Sequence, residues 1–149
     1  LNLDNNIYGF DTFKDSHTRI KNVSDLNVLK DITIPNLKNS GIEDPEKEIN
    51  FVVGDVRETL KSYKNKISFL HIDVDLPEIY EFILNTIWTQ LEMNSVIVFD
   101  EIYTDEINQQ RLEKKFGNLK NTVDVFLSDK SYEIIKNNQI SRLIIKKLD

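Results

Sequence analysis

Two stretches carry the reading of the fold: Ile67-Ser-Phe-Leu-His-Ile-Asp-Val-Asp75 and Val96-Ile-Val-Phe-Asp-Glu101. Each is a short, β-branched, nearly uncharged run closed by acidic residues. Ile67 to Ile72 ends at Asp73–Val74–Asp75, and Val96 to Phe99 ends at Asp100–Glu101. Runs of this kind read as strands buried on both faces. About twenty residues with helical patterning separate them. A parallel β-α-β unit puts the carboxyl ends of both strands on one edge of the sheet, and open α/β sheets bind ligands along that edge. Carboxylates gathered there repel one another. A cation, a proton or a cationic substrate offsets that repulsion.

Working outward, Pro77 sits where a first helical turn tolerates proline. Ile79, Phe82, Ile83, Ile87 and Leu91 follow at helical spacing, so a helix is expected over 78–91. Upstream, Ile7–Phe10 reads as a strand ending at Asp11, and Ile49–Val53 as a second one ending at Gly54–Asp55. A short helix is expected from Arg57 to Tyr63. Residues 12–47 are polar and hold Pro35, Gly41 and Pro45. A helix fits 24–30, and the remainder reads as loop. Downstream, helices are expected over 105–116 and 118–128, broken at Gly117–Asn118. Tyr132–Ile135 and Ser141–Lys146 then read as an antiparallel pair joined through Asn137–Asn138. The expected fold is one α/β domain, Rossmann-like, with a mainly parallel sheet, helices on both faces and a C-terminal antiparallel hairpin.

The 149 residues suffice for one domain with a real core. The net charge of -6 argues against nucleic-acid binding through phosphate contacts. Cysteine is absent, which excludes disulfides and thiolate metal sites. No apolar run approaches the roughly 18 residues needed to span a bilayer. The expectation is a soluble, cytoplasmic protein with a small-molecule partner and no membrane or nucleic-acid partner; self-association is left open.

Four motifs occur in order: Ile7-Tyr-Gly-Phe-Asp-Thr-Phe13, Gly54-Asp-Val-Arg-Glu-Thr-Leu60, Phe69-Leu-His-Ile-Asp-Val-Asp-Leu76 and Val96-Ile-Val-Phe-Asp-Glu101. Together they resemble the macrocin O-methyltransferase family of class I S-adenosylmethionine (SAM) enzymes, which methylate sugar hydroxyls. The resemblance covers nearly the whole chain. It implies SAM as methyl donor, a sugar as acceptor and a bound Mg²⁺. It maps the metal ligands to Asp73, Asp100 and Glu101, the base to Asp73, and the cofactor contacts to Asp11, Phe13, Gly54, Asp55 and Val56. The chain departs from the family in three places: Asp100–Glu101 replaces two aspartates, Pro77 replaces a tyrosine, and Asn94–Ser95 replaces two glycines. The family's first strand and its Gly-rich SAM loop have no counterpart before Ile7. That pattern is expected of an N-terminally truncated member.

Each residue also has a plainer reading. Asp11 suits the ribose hydroxyls of a nucleoside or a turn. Gly54–Asp55 suits a close approach to adenine or a helix N-cap. Asp73 follows a buried strand, where a carboxylate without a partner is costly, and Asp75 fits a cap better than a ligand. Asp100 and Glu101 are neighbours, so they share a site only where the strand ends. Their hard oxygens suit Mg²⁺ or Ca²⁺. His71 and Trp88 read as structural, and His17 lies in a polar stretch where it could face substrate. Two other functions compete: a haloacid-dehalogenase-like phosphatase built on Asp73–Val74–Asp75, and a non-enzymatic Rossmann-like interaction module.

Overall fold

The computed structural model describes residues 6–12, 32–135 and 141–149. The readings at Phe13, at His17, over the helix at 24–30 and at the Asn137–Asn138 turn lie outside these residues. The chain divides into two compact units, Leu1–Ser62 and Tyr63–Asp149.

In the first unit, β1 (Ile7–Asp11) and β2 (Ile49–Val53) pair in parallel, with Ile7 opposite Ile49 and Asp11 opposite Val53. Parallel pairing aligns the carboxyl ends of both strands, so Asp11 and Gly54 lie at the same edge. Two helices occupy the segment expected to be loop: α1 (Ile34–Asn39) and α2 (Pro45–Glu48). The prolines that argued for a loop instead start these helices, because Pro in the first turn forfeits only an N–H that has no helical partner. α3 (Val56–Thr59) follows β2 and tightens into a 3₁₀ turn at Leu60–Ser62.

The second unit holds a four-stranded sheet in the order β3-β4-β6-β5: β3 (Ile67–Ile72), β4 (Leu91–Tyr103), β5 (Tyr132–Ile134) and β6 (Arg142–Lys147). β3 and β4 are parallel. β6 runs antiparallel to both β4 and β5. The α/β architecture with a parallel β-α-β unit and a C-terminal antiparallel hairpin is the one read from the sequence. The crossover helix α4 (Pro77–Ile87) ends earlier than its apolar periodicity suggests. It closes in a 3₁₀ turn at Trp88–Gln90, and Leu91 belongs to β4.

The core of this unit lies on one face of the sheet. Ile97, Phe99, Ile102 and Ile145 are fully buried there, with Tyr80, Leu84 and Ile87 of α4. α4 also packs on α6 (Leu119–Leu127), whose Val123 is fully buried. Burying each of these large apolar side chains contributes about 1.5–3 kcal/mol, and the stacked Tyr80 and Phe99 rings, 6.3 Å apart, tie helix to strand. Trp88 packs edge-on against Phe126 at 5.3 Å, the packing role expected of it. Burial on both faces does not hold for β3. Among the described residues it is an outer strand of its sheet, Phe69 is 62% exposed, and within β3 only Ile72 is buried. α5 (Glu106–Phe116) and α6 are separated at Gly117, whose φ of 75° permits the break. Among the described residues no helix is long and apolar enough to cross a membrane.

Candidate functional site

Asp73 stands one residue beyond the end of β3, and Asp100 and Glu101 sit near the end of the parallel neighbour β4. One carboxylate oxygen from each lies within 4.8 Å of the other two. Asp73 is exposed, and Asp100 and Glu101 are half-buried.

The reason two adjacent residues reach one site is a break in β4. The sequence places the strand end after Phe99, whereas the strand continues to Tyr103. Its pairing with β6 slips, however: Phe99 faces Leu143 and Tyr103 faces Arg142. Four residues of advance on β4 match one on β6. Burial shows the same slip, since the buried positions run Ser95, Ile97, Phe99 and then Ile102. In a regular strand Asp100 and Glu101 point to opposite faces. A bulge removes that alternation and re-aims side chains. The Tyr103 N–H donates to Gln109 Oε1 at 2.9 Å, which anchors the strand beyond the bulge to α5.

Tyr80 lies beneath the end of β3. Its hydroxyl donates to the Ile72 carbonyl oxygen at 3.1 Å, and its ring is fully buried. Burial pushes its pKa up, so it remains a phenol. Asp100 is held from two sides. Arg142 Nε and Nη2 donate to its two oxygens at 3.2 and 3.3 Å, and His71 Nε2 lies 3.6 Å from Oδ1. The Arg142 guanidinium lies 4.3 Å from the centre of the Tyr103 ring. Neither Arg142 nor Tyr80 is legible in the sequence as a site residue. Arg142 arrives through the register of an antiparallel strand some forty residues downstream of Asp100, and no local pattern signals that.

The electrostatics match the geometry. Loss of water raises the pKa of Asp73, with the charge of Asp100 as the next cause. The same two causes, in that order, raise Glu101. A carboxyl with a raised folded-state pKa adds stability below its unfolded pKa, and that stability is lost as pH rises through the folded value. At neutral pH the metal-free cluster is therefore a source of strain. Metal-free Asp73→Asn is expected to melt higher than wild type at pH 7. The gap should close as pH falls below the ordinary aspartate range. Melting curves across this range test it, and a variant less stable at pH 7 than wild type contradicts the strain.

Asp75 stands directly ahead of the N-cap position of α4, where its negative charge suits the helix start. The N-cap residue is Leu76, whose side chain carries no acceptor, and Pro77 at the helix start removes one orphan N–H.

In the first unit Asp11 is exposed at the end of β1, and its carbonyl oxygen accepts from the Gly54 N–H at 2.9 Å. Asp55 is the N-cap of α3. Its Oδ1 accepts from the Arg57 N–H at 2.9 Å, and its carboxylate pairs with the Arg57 side chain. The cap reading of Asp55 is thus realised. Val56 opens the helix. Gly54 is required by the backbone: its φ is +146°, and a Cβ there would meet Thr59 Cγ2 at 2.9 Å. Gly54→Ala is expected to destabilise the protein by about 1–3 kcal/mol. Chemical denaturation measures this; a variant as stable as wild type would show that the turn relaxes freely.

A parallel β-α-β unit with acidic residues at its carboxyl edge defines the class as Rossmann-like α/β. The chain belongs to a methyltransferase family: residues 1–102 match a family described as a methyltransferase domain. No curated protein matches the sequence. Among solved structures it is similar to the O-methyltransferase NovP, with 15% identity and a TM-score of 0.69 over 98% of this chain and 61% of that one. It is also similar to CalS11, a TDP-rhamnose 3'-O-methyltransferase of calicheamicin biosynthesis, with 20% identity and a TM-score of 0.59 over 95% of this chain and 57% of that one. A third, the SAH-bound methyltransferase PaMTH1 of Podospora anserina, has 11% identity and a TM-score of 0.58 over 95% and 59%. At such identities the likeness is one of fold. The chain spans about three-fifths of the length of these structures.

Proposed function

We propose that this chain is the larger part of a SAM-dependent O-methyltransferase of the macrocin type, acting on a sugar hydroxyl with help from Mg²⁺. The observation that carries the reading is the meeting of Asp73, Asp100 and Glu101 at the carboxyl edge of two parallel strands. Membership of a methyltransferase family supports the reaction class. The activity of CalS11, a neighbour in fold, supports a sugar acceptor. The phosphatase reading of Asp73–Val74–Asp75 has no such support.

The donor set suits a hard divalent cation. Three carboxylates offer oxygen only, with neither thiolate nor imidazole within the trio, and oxygen sets favour Mg²⁺ over softer metals. When bound, Mg²⁺ supplies positive charge that makes a nearby hydroxyl more acidic. Asp73 is the group placed to accept the proton of the acceptor hydroxyl, at a carboxylate oxygen. Burial and the neighbouring Asp100 charge raise its pKa in the metal-free cluster, which makes it a stronger proton acceptor than a free aspartate. Tyr80 holds the end of β3 through the Ile72 carbonyl and so fixes where Asp73 begins. Arg142 keeps Asp100 in one orientation.

SAM supplies an electrophilic methyl group. Asp11 is suited to the ribose hydroxyls, because an exposed carboxylate at a strand end accepts from a vicinal diol. Gly54, Asp55 and Val56 form the turn proposed to border the adenine, and Phe13 is proposed to contribute beside Asp11. The methionine end of the donor has no Gly-rich loop among residues 1–149. Residues 1–149 alone are therefore expected to bind SAM weakly, and the whole enzyme tightly. Calorimetry on both tests this. Tight binding by residues 1–149 alone would overturn the division of the domain, and no binding by the whole enzyme would overturn the methyltransferase reading.

A further inference from the structure

We propose that Arg142 is the resident cation of the carboxylate cluster: its guanidinium occupies Asp100 in the metal-free protein, and a divalent ion binds in competition with it. The proposal rests on the reading of Asp73, Asp100 and Glu101 as a Mg²⁺ site.

Three observations meet at this residue. First, Arg142 engages Asp100 with two donors, Nε to Oδ1 at 3.2 Å and Nη2 to Oδ2 at 3.3 Å. A two-point fork fixes the carboxylate plane as well as its position, which a lysine ammonium does not do. Second, the guanidinium is itself fixed by the Tyr103 ring at 4.3 Å. Third, the backbone builds the arrangement. Arg142 stands opposite Tyr103 in the register, on the far side of the bulge that presents Asp100 and Glu101. The bulge that gathers the acids also delivers the cation that answers them.

The pair is about three-quarters shielded from solvent, with side-chain exposures of 29% and 28%. Its charges are thus screened less than those of a surface pair. A divalent ion at the trio meets two obstacles that Arg142 creates. Both oxygens of Asp100 already accept a hydrogen bond, and a fixed positive charge stands beside the site. Arg142 is therefore a positioning residue that tunes metal affinity.

The test is calorimetric titration of Mg²⁺, and of Mn²⁺ as a second probe, into the chelator-treated whole protein. Arg142→Gln removes the charge and is expected to bind Mg²⁺ at least about tenfold more tightly than wild type, as loss of a unit charge near a divalent ion predicts. Arg142→Lys keeps the charge, the larger of the two obstacles to the ion, and should stay within about threefold of wild type. Tyr103→Leu frees the guanidinium without removing it and should fall between the two. Circular dichroism verifies the fold of each variant. If Arg142→Gln does not fold, the Tyr103→Leu titration decides, and an affinity equal to wild type there overturns the proposal. A folded Arg142→Gln with unchanged or weaker Mg²⁺ affinity also overturns it, provided wild type binds. If neither wild type nor Arg142→Gln binds either ion, the metal reading of the cluster itself fails, and the competition with it. A wild type that binds nothing beside an Arg142→Gln that binds Mg²⁺ supports competition in its strongest form.

Discussion

Asp73→Asn in the whole enzyme is expected to lower methyl transfer to a sugar acceptor by about 10²-fold or more, the usual contribution of a positioned base. The substitution keeps the shape of the side chain. It removes a negative charge from the trio and the oxygen that accepts the acceptor's proton. Its expected signature is a fall in kcat/KM with SAM affinity nearly unchanged, because the residues proposed to hold the donor lie on other elements, β1 and the turn after β2. The same variant is expected to be more stable than wild type at pH 7 without metal. A loss of activity combined with a gain in stability separates a functional carboxylate from a structural one. A variant as active as wild type rules out Asp73 as the base. A variant that loses stability and activity together assigns Asp73 to the fold.

Removal of divalent ions is expected to have the second large effect. In buffer with EDTA, transfer should fall to background, and added Mg²⁺ should restore it to the untreated level. The physical reason is that loss of water, and after it the charge of Asp100, disfavours the charged forms of both Asp73 and Glu101. A divalent ion held by the trio would offset that cost and would make a nearby acceptor hydroxyl more acidic. Glu101→Asp should be mild in this assay or raise the activity, since the shorter arm restores the family's pair of aspartates. Undiminished transfer in metal-free buffer would remove Mg²⁺ from the mechanism and leave Asp73 to act alone. Loss of activity in Glu101→Asp would show that the bulge in β4 is matched to the longer side chain.

Much of this was legible in the residues. The apolar runs Ile67–Ile72 and Val96–Phe99 specified strands because short β-branched stretches have few other uses. The spacing of Ile79, Phe82, Ile83 and Ile87 specified the crossover helix between them. A right-handed parallel crossover then requires both acidic ends to share an edge, so Asp73 and Asp100 could be placed together before any coordinates. Asp55 and Gly54 were readable as a cap and a turn because their chemistry is local. The proline-led helices at Ile34–Asn39 and Pro45–Glu48 were misjudged as loop, since Pro35 and Pro45 suit a helix start as well as a break.

The tertiary structure decided what depends on register. The sequence alone determined that Asp73 and the Asp100–Glu101 pair follow the apolar runs of two parallel strands and so share one edge, because the period of a strand and the sense of a crossover are properties of the backbone. It did not determine that β4 continues past Phe99, that its pairing slips between Phe99 and Tyr103, or that Arg142 stands opposite Tyr103. Nor did it determine the Tyr80 hydroxyl beneath Ile72 or the exposure of Phe69 on an outer strand. A bulge has no strict sequence signature, and antiparallel register follows from packing of whole faces against the core. Two adjacent acids became neighbours of one guanidinium only when that packing chose the slip.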